Sequence, residues 1–375
     1  MIYLDNAATT YPKPEEVYVA LDKANREYAF NAGRGSYKKA KEVNEIIEDT
    51  RSYIAKMVGG NYENVVFTSS ATESLNKIIF GLEWSNGDNV YVSPFEHNSI
   101  IRPLEEIKKK YNINLNLIPF DKETWEPSED MVNIFATKKP KYIFCSAKSN
   151  VTGLNLNYKM IFEEGKKYNS INIVDASQSF GVDKKINLNN TDFIVFAGHK
   201  SLYASFGIAG FVKSDKVNLN KTLFGGTGSD TLNPEMPKTG VDRFEAGSHN
   251  AVAIYGLNES LKWLDNNDVE SKEKKLTEYA ITKMRDNKKI NLYLPNKLDS
   301  VSGIVSFNVE GYSADDIGKI LDEEFDICVR TGYHCAPFIH DFIGSKQSNG
   351  TVRMSLNYFN NESDIDELIK ALKTF

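Results

Sequence analysis

An α/β protein built on a large, mainly parallel sheet, with a smaller α/β domain towards its C-terminus, is the fold class this sequence predicts. The first observation behind it is a series of short apolar runs alternating with helical patterns. The runs are Val65-Val66-Phe67-Thr68, Asn89-Val90-Tyr91-Val92-Ser93, residues 113–118, Tyr142-Ile143-Phe144-Cys145, Ile171-Asn172-Ile173-Val174 and Phe193-Ile194-Val195-Phe196. Each reads as a buried strand, and their alternation with helices implies a largely parallel sheet covered on both faces. The second observation is length: 375 residues are long for one core and fit two domains. The third is that strand and helix patterns resume on a smaller scale after a stretch rich in Gly, Thr, Asn and Pro at residues 219–250.

Taken in order, Leu4-Asp5-Asn6-Ala7-Ala8-Thr9-Thr10 is a small-residue loop entering a helix, with Pro12 and Pro14 near its start. The Thr10 hydroxyl reads equally as a cap or a ligand group. Residues 31–36 form a loop in which Ser36 is a candidate cap for a helix over 37–58, where Val43, Ile46, Ile47, Tyr53 and Ile54 fall at helical spacing. Gly59-Gly60 ends that helix.

Ser69-Ser70-Ala71-Thr72-Glu73 turns the next strand into a helix carrying Leu75, Ile78, Ile79 and Leu82. Strand, small hydroxylated residues and helix N-terminus together suit a phosphate, because free backbone N–H groups and the helix dipole point at the anion. The same residues also read as a capping box, Ser70 at the N-cap and Glu73 at N3; the two readings are compatible. Lys108-Lys109-Lys110 reads as a solvated helix end. The long loop at 219–250 is of a length that marks function or mobility. Helices are predicted near 251–264 and 271–285. Val305, Phe307 and Val309 alternate as in a half-buried strand, Ser313 caps a helix to about residue 325, and Ile327-Cys328-Val329 is a short apolar strand. Ile365, Leu368, Ile369 and Leu372 mark one face of the last helix.

Composition narrows the function classes. Hydrophobic residues at 41% and aromatics at 11% are ample for burial. A net charge of −6 without a dense Lys/Arg tract argues against a nucleic-acid or membrane surface. The first residues lack a basic region followed by an apolar core, so no signal peptide is read. No uncharged apolar stretch approaches a membrane span. Three widely separated cysteines give no disulfide framework and no CxxC metal pair. No metal site is expected, and a reducing cytoplasm is the predicted compartment.

His97, Asn150, Asp175 and Lys200 all lie just past apparent strand ends, where ligands gather in parallel α/β sheets. An acid at one strand end and a lysine at the next suit pyridoxal phosphate, which needs an amine for its aldehyde and a carboxylate to keep its ring nitrogen protonated. Taken alone, that pair also reads as two ordinary solvated residues.

Motifs along nearly the whole chain then add a resemblance. They are the residue 3–10 loop, Thr68-Ser69-Ser70-Ala71-Thr72-Glu73-Ser74, Glu96-His97-Asn98-Ser99, Ser149-Asn150-Val151-Thr152-Gly153 and Asp175-Ala176-Ser177-Gln178. Gly198-His199-Lys200, Arg243-Phe244-Glu245-Ala246-Gly247 and Arg330-Thr331-Gly332-Tyr333-His334-Cys335-Ala336-Pro337 complete the set. In this order they resemble the cysteine desulfurases and selenocysteine lyases of the class V aminotransferase group, fold type I pyridoxal phosphate enzymes.

The resemblance implies a large cofactor-binding domain over residues 15–255, and a smaller domain from 1–14 with 256–375 that carries the catalytic cysteine. It implies Lys200 as the lysine bonding the cofactor and moving the substrate α-proton, and Asp175 as the partner of the pyridinium nitrogen. His97 would stack on the ring, where a lone histidine otherwise reads as a hydrogen-bonded structural residue. Gln178 would bond the phenolic oxygen, and Ala71, Thr72 and His199 would hold the phosphate. Ser248, where the family usually has Thr, would reach the phosphate of a partner subunit, which implies a homodimer. Arg353 would grip the substrate carboxylate with a planar guanidinium, and Asn150 would assist there or at the ring oxygen.

Cys335 would be the sulfur nucleophile, its thiolate the reactive form, in a loop expected to be exposed and mobile. His334 and His340 are candidates for lowering its pKa. Cys145 and Cys328 read as inert core thiols. The activity implied is removal of sulfur from L-cysteine, or L-selenocysteine, giving alanine and a Cys335 persulfide for an acceptor protein, with iron–sulfur cluster assembly as its setting.

Two departures from the family pattern stand out. Ala197 replaces a common Ser, a loss on the order of 1 kcal/mol if no other group supplies that hydrogen bond, and Ser201-Leu202-Tyr203-Ala204-Ser205-Phe206-Gly207 lacks a Gly-Pro after the lysine. A class V transaminase or lyase without a cysteine nucleophile, and a catalytically silent scaffold for sulfur-transfer proteins, are the competing readings. Lys213 and Lys216 lie too far along the chain to substitute for Lys200.

Overall fold

The computed structural model describes residues 1–32, 35–228 and 232–375; Gly33 and Arg34 of the predicted 31–36 loop, and three residues of the 219–250 loop, lie outside them. The elements are β1 (Ile2–Tyr3), α1 (Glu15–Glu27), α2 (Lys38–Val58), β2 (Val65–Thr68), α3 (Ala71–Gly81), β3 (Asn89–Val92), α4 (Asn98–Tyr111), β4 (Asn114–Leu117) and α5 (Asp130–Thr137). They continue with β5 (Tyr142–Ser146), α6 (Tyr158–Lys166), β6 (Ile171–Asp175), β7 (Phe193–Ala197), β8 (Ala209–Lys213), α7 (Ala251–Asp265) and α8 (Val269–Arg285). The C-terminal elements are β9 (Ile290–Leu292), β10 (Ile304–Val309), α9 (Ala314–Phe325), β11 (Ile327–Cys328), β12 (Arg330–Gly332), α10 (Ile339–Phe342), β13 (Thr351–Ser355) and α11 (Glu362–Leu372).

A seven-stranded sheet in the order β2-β8-β7-β6-β5-β3-β4 dominates. All its strands run parallel except β8, which pairs antiparallel with both β2 and β7. Successive side chains on these strands enter two different cores. Phe67, Ile143, Cys145, Val174 and Phe196 pack on one face, and Val66, Tyr142, Phe144, Ile173 and Val195 on the other. Burial on both faces explains why these strands read as unbroken apolar runs. The sheet thus has the predicted mainly parallel character, with one reversed strand that sequence reading did not anticipate. Glycine hides β8: a Cβ on Gly210 would lie 2.3 Å from the Val66 carbonyl and 2.5 Å from the Phe196 ring, so the central strand needs a residue of low strand propensity.

The C-terminal elements form a four-stranded antiparallel sheet, β12-β13-β10-β9, around a third core that includes Leu4, Leu276, Val305, Phe307, Ile317 and Leu368. Strand β1 pairs parallel with β11. Strand β10 is buried at every position, not half-buried as its alternation predicts. Its polar residues face hydrogen-bond acceptors instead of water: Ser306 Oγ donates to the Val151 carbonyl at 2.6 Å, and Asn308 Nδ2 to the Gly350 carbonyl at 3.0 Å.

Helix ends follow the predicted signals in most places. Gly59 closes α2 in the left-handed conformation, and Ser313 with Asp316 forms a capping box on α9. Two cap readings are corrected. Tyr37, not Ser36, is the N-cap of α2, and no side chain caps it. Thr10 caps no helix; its Oγ1 faces the His199 and Lys200 carbonyls and accepts from Lys13 Nζ at 2.6 Å. No helix among the described residues is long and apolar enough to cross a membrane.

Candidate active site

The carboxyl ends of β2, β3, β5, β6 and β7 converge on a cavity of about 100 Å³. It is lined by Ala71, Thr72, His97 and Asn150, and by Asp175, Gln178, His199 and Lys200. Eight residues singled out from sequence, spread over 130 positions, therefore meet in one place. The parallel register produces this: Ser146, the last residue of β5, stands opposite Asp175, the last of β6.

At the start of α3, Ser70 Oγ accepts from the Glu73 N–H at 3.2 Å. Glu73 does not complete the predicted capping box. Its carboxylate takes the N–H and hydroxyl of Ser69 instead, at 2.9 and 2.7 Å. Ala71 and Thr72, in the first turn, where N–H groups have no intrahelical acceptor, line the cavity. Thr72 Oγ1 meets Ser99 Oγ at 2.8 Å, and Ser99 Oγ meets His97 Nδ1 at 2.9 Å. His97 is the N-cap of α4, its Nδ1 accepting the Ser99 N–H at 3.0 Å. Its ring also lines the cavity, so the structural and cofactor-facing readings of this histidine coexist.

Electrostatics keep the cavity's two histidines neutral. Burial, and then the Lys200 charge, push His97 down to about 4 and His199 to about 3. Lys200 is itself lowered, chiefly by burial, against the pull of Asp175. Asp175 commits Oδ1 to the Ser177 N–H (2.9 Å) and hydroxyl (2.5 Å). Gln178 Nε2 donates to the Ala7 carbonyl at 2.8 Å. His199 Nδ1 is buried without a hydrogen-bond partner, and its ring stacks on Phe206 at 4.5 Å.

Two other residues stand around this cavity rather than in its wall. Arg353, on β13, is 1% exposed; its Nη1 donates to the Asn150 carbonyl at 2.9 Å and its Nη2 pairs with Asp5 at 2.5 Å. Its Nε is buried and unpartnered. Cys335 is exposed, with its Sγ 3.5 Å from Arg330 Nη2, and its ionised form would add to the charge felt at Lys200. The expected mobile loop is short and tethered. Asn150 Nδ2 donates to the His334 carbonyl at 2.8 Å, and the Asn98 N–H to the Cys335 carbonyl at 2.7 Å. Ser248 lies apart, lining neighbouring cavities of about 200 and 1010 Å³.

Neither nearby histidine stands as a cation beside the Cys335 loop. Burial pushes His334 down to about 2 and His340 below its ordinary value; His334 Nε2 is taken up by Thr351. The cationic neighbour is Arg330. Cys145 is a core thiol as expected, whereas Cys328 is only half-buried, its pKa raised by burial and by Asp322 and Asp326.

These residues fit pyridoxal phosphate. A cavity-lining lysine amine would suit its aldehyde, a carboxylate with one uncommitted oxygen a cationic ring N–H, and helix N–H groups beside an orphaned imidazole a phosphate.

The aminotransferase class-V family model matches residues 2–368. The chain belongs to the class-V aminotransferase family. A probable cysteine desulfurase of Pyrococcus abyssi is 30% identical to this family member over 403 residues, covering all of this chain and 96% of the relative. A cysteine desulfurase of Wigglesworthia glossinidia brevipalpis is 30% identical over 402 residues, covering 99% of this chain and 92% of the relative. The apo structure of a cysteine desulfurase from Thermococcus onnurineus NA1 superimposes with a TM-score of 0.92 at 28% identity, covering 100% of this chain and 94% of that one. The fold is that of fold type I pyridoxal phosphate enzymes, as predicted.

The structure of this family member adds site residues that sequence reading passed over. Lys148 is buried and lines the cavity with Lys200. It lies two residues beyond Ser146 and two before Asn150, a same-face spacing that could have flagged it. Lys213, by contrast, sits at the opposite end of the sheet, its Nζ on the Ser214 and Val217 carbonyls. Asp5 and Arg330 flank Arg353. Their clustering depends on the antiparallel β12–β13 pairing, which has no local signature.

Proposed function

We propose that this chain is a pyridoxal phosphate-dependent cysteine desulfurase, converting L-cysteine to L-alanine and leaving the sulfur as a persulfide on Cys335. The observation that carries this reading is the exposed Cys335 thiol, tethered beside a cavity that unites Lys200, Asp175 and His97.

Lys200, Asp175, His97, Gln178 and Asn150 would hold the aldehyde, ring nitrogen, ring face and phenolic oxygen of the cofactor, and Ala71, Thr72 and His199 its phosphate. When bound, the cofactor supplies an electron sink for the substrate α-carbon. Arg353 binds and orients the substrate carboxylate, with Asn150 and Asp5 fixing its guanidinium. Lys200 carries the proton at the α-carbon; burial lowers its pKa and so favours the neutral amine. Cys335 Sγ, as thiolate, attacks the substrate sulfur: the S–S bond forms as the substrate Cβ–S bond breaks, and the carbon is finally protonated as the methyl group of alanine. Arg330 holds the attacking sulfur.

The same reading includes a homodimer, with Ser248 reaching a second copy's phosphate, and delivery of sulfur to an acceptor protein in iron–sulfur cluster assembly. Three free thiols suit a reducing cytoplasm. The test is incubation of the purified, cofactor-loaded protein with L-cysteine, assaying alanine and protein-bound persulfide together. Equal amounts of both in the first turnover support the proposal; alanine without persulfide, or neither, rejects it.

A further inference from the structure

We propose that Glu96 is a positioning residue of this site, tying the segment that carries His97 to the adjoining strand end and so holding the imidazole against the cavity. The proposal rests on the cofactor reading above. Glu96 is 0% exposed, in the connection between β3 and α4. No lysine or arginine pairs with it among the described residues. A buried carboxyl without a counter-ion is tolerated only where hydrogen bonds replace its water, and Glu96 collects three. Ser93 Oγ and the Ser146 N–H (2.7 Å) donate to Oε1, and Ser146 Oγ donates to Oε2 at 2.8 Å.

These partners lie where they affect the reaction centre. Ser93 directly follows β3, and Ser146 ends β5, lines the cavity and stands opposite Asp175. Glu96 therefore locks two neighbouring strand ends together. The next residue is His97, whose ring can face the cavity only if the turn into α4 begins in the right place. Its Nδ1 then bonds Ser99, and Ser99 bonds Thr72. Burial raises the Glu96 pKa to about 7, with the Ser93 and Ser146 bonds acting against it and Asp175 adding to it. A neutral amide is accordingly a close substitute: its oxygen can accept the Ser146 N–H while its NH2 donates to Ser146 Oγ.

The full-length chain carrying Glu96→Ala, Glu96→Gln or Ser146→Ala is compared with wild type. The readouts are the dissociation constant for pyridoxal phosphate, the visible circular dichroism of the bound cofactor, and thermal unfolding without cofactor. Loss of hydrogen bonds to a buried carboxyl should weaken binding in Glu96→Ala about tenfold or more and change the dichroism band. Glu96→Gln should stay within about threefold with the band restored. Wild-type affinity and dichroism in Glu96→Ala, or a Gln variant as impaired as Ala, overturns the proposal. So does a change confined to the unfolding temperature. If Glu96→Ala does not fold, Ser146→Ala decides, and an unaltered band in that variant overturns the proposal. Failure of the wild-type chain itself to bind pyridoxal phosphate rejects the cofactor reading instead.

Discussion

The backbone N–H of Asn98 donates to the carbonyl oxygen of Cys335 at 2.7 Å. This bond joins the first turn of the helix capped by His97 to the loop bearing the exposed thiol. Asn150 holds the same loop from the other side through the His334 carbonyl, while its own carbonyl accepts from Arg353. His334 and Cys335 both take positive φ, 48° and 58°, a conformation uncommon for non-glycine residues. The thiol is thus presented by a fixed turn, and one of the two residues that fix it, Asn150, is also expected to meet cofactor and substrate.

Cys335→Ser should keep bound pyridoxal phosphate and its response to L-cysteine, because no cavity-lining residue changes, yet make no persulfide. Desulfuration should fall about 10³-fold or more, by analogy with removal of a covalent nucleophile. Cys145→Ser should retain activity and lose about 1–3 kcal/mol of stability, since a more polar hydroxyl would enter a fully buried site. Alanine formation and thiol labelling measure the first effect, and urea unfolding the second. Normal alanine production by Cys335→Ser would leave the transaminase-or-lyase reading in the lead.

Lys200→Ala should abolish borohydride fixation of the cofactor to the chain and reduce turnover at least 10²–10⁴-fold, the usual worth of a positioned acid–base group. Lys148 makes this worth mapping by peptide analysis, because it lines the same cavity. Cofactor still fixed at Lys148 would mean that the two amines share the aldehyde, against the sole role assigned to Lys200.

Arg353→Lys keeps the charge but loses the fork that engages Asp5 and the Asn150 carbonyl together. KM for L-cysteine should rise about tenfold or more, with the cofactor spectrum unchanged. A fall in kcat at constant KM would reject carboxylate recognition.

The parallel strands were legible because burial on both faces leaves each as an unbroken apolar run. The strand-end residues were legible because such sheets gather ligands at one end. What escaped notice depends on non-local pairing. Strand β8 is masked by the glycine its neighbours require. The polar alternates of β10 look solvent-facing, yet bond carbonyls distant in sequence. His334 read as a candidate for lowering the Cys335 pKa because adjacency says nothing of burial, and its ring is buried against Thr351. Ser248 has no counterpart of that kind within one chain.

Acidification should destabilise the protein without cofactor. His97, His199, His334 and His340 all sit below the ordinary histidine value of 6.5. The unfolded chain therefore binds more protons as pH falls below that value, and stability drops towards the folded pKa values. Glu96 opposes this, since its value raised from 4.5 to about 7 means the folded chain keeps that proton and gains stability between those limits on acidification. Glu273, whose carboxyl burial also raises, acts the same way, and four groups against two still give a lower urea midpoint at pH 5 than at pH 7. His334→Gln should flatten the slope between them, and an equal or higher midpoint at pH 5 in the wild type would count against the balance drawn here.

Ser248 supplies the sharpest test of assembly. It does not line the cavity of Lys200 in its own chain, and the proposed contact with a bound phosphate is one made by a second copy. Ser248→Ala homodimers should bind pyridoxal phosphate about tenfold more weakly, the scale of one hydrogen bond to a charged group. Lys200→Ala homodimers should be inactive. In a mixed dimer, the Ser248→Ala chain contributes an intact Lys200, and its Lys200→Ala partner contributes an intact Ser248 to that same site. One of the two sites is then complete. Co-expressed chains with two different affinity tags should therefore yield mixed dimers with about half the wild-type activity at limiting cofactor. Activity no higher than the mean of the two homodimers would show that Ser248 acts within its own chain or not at all.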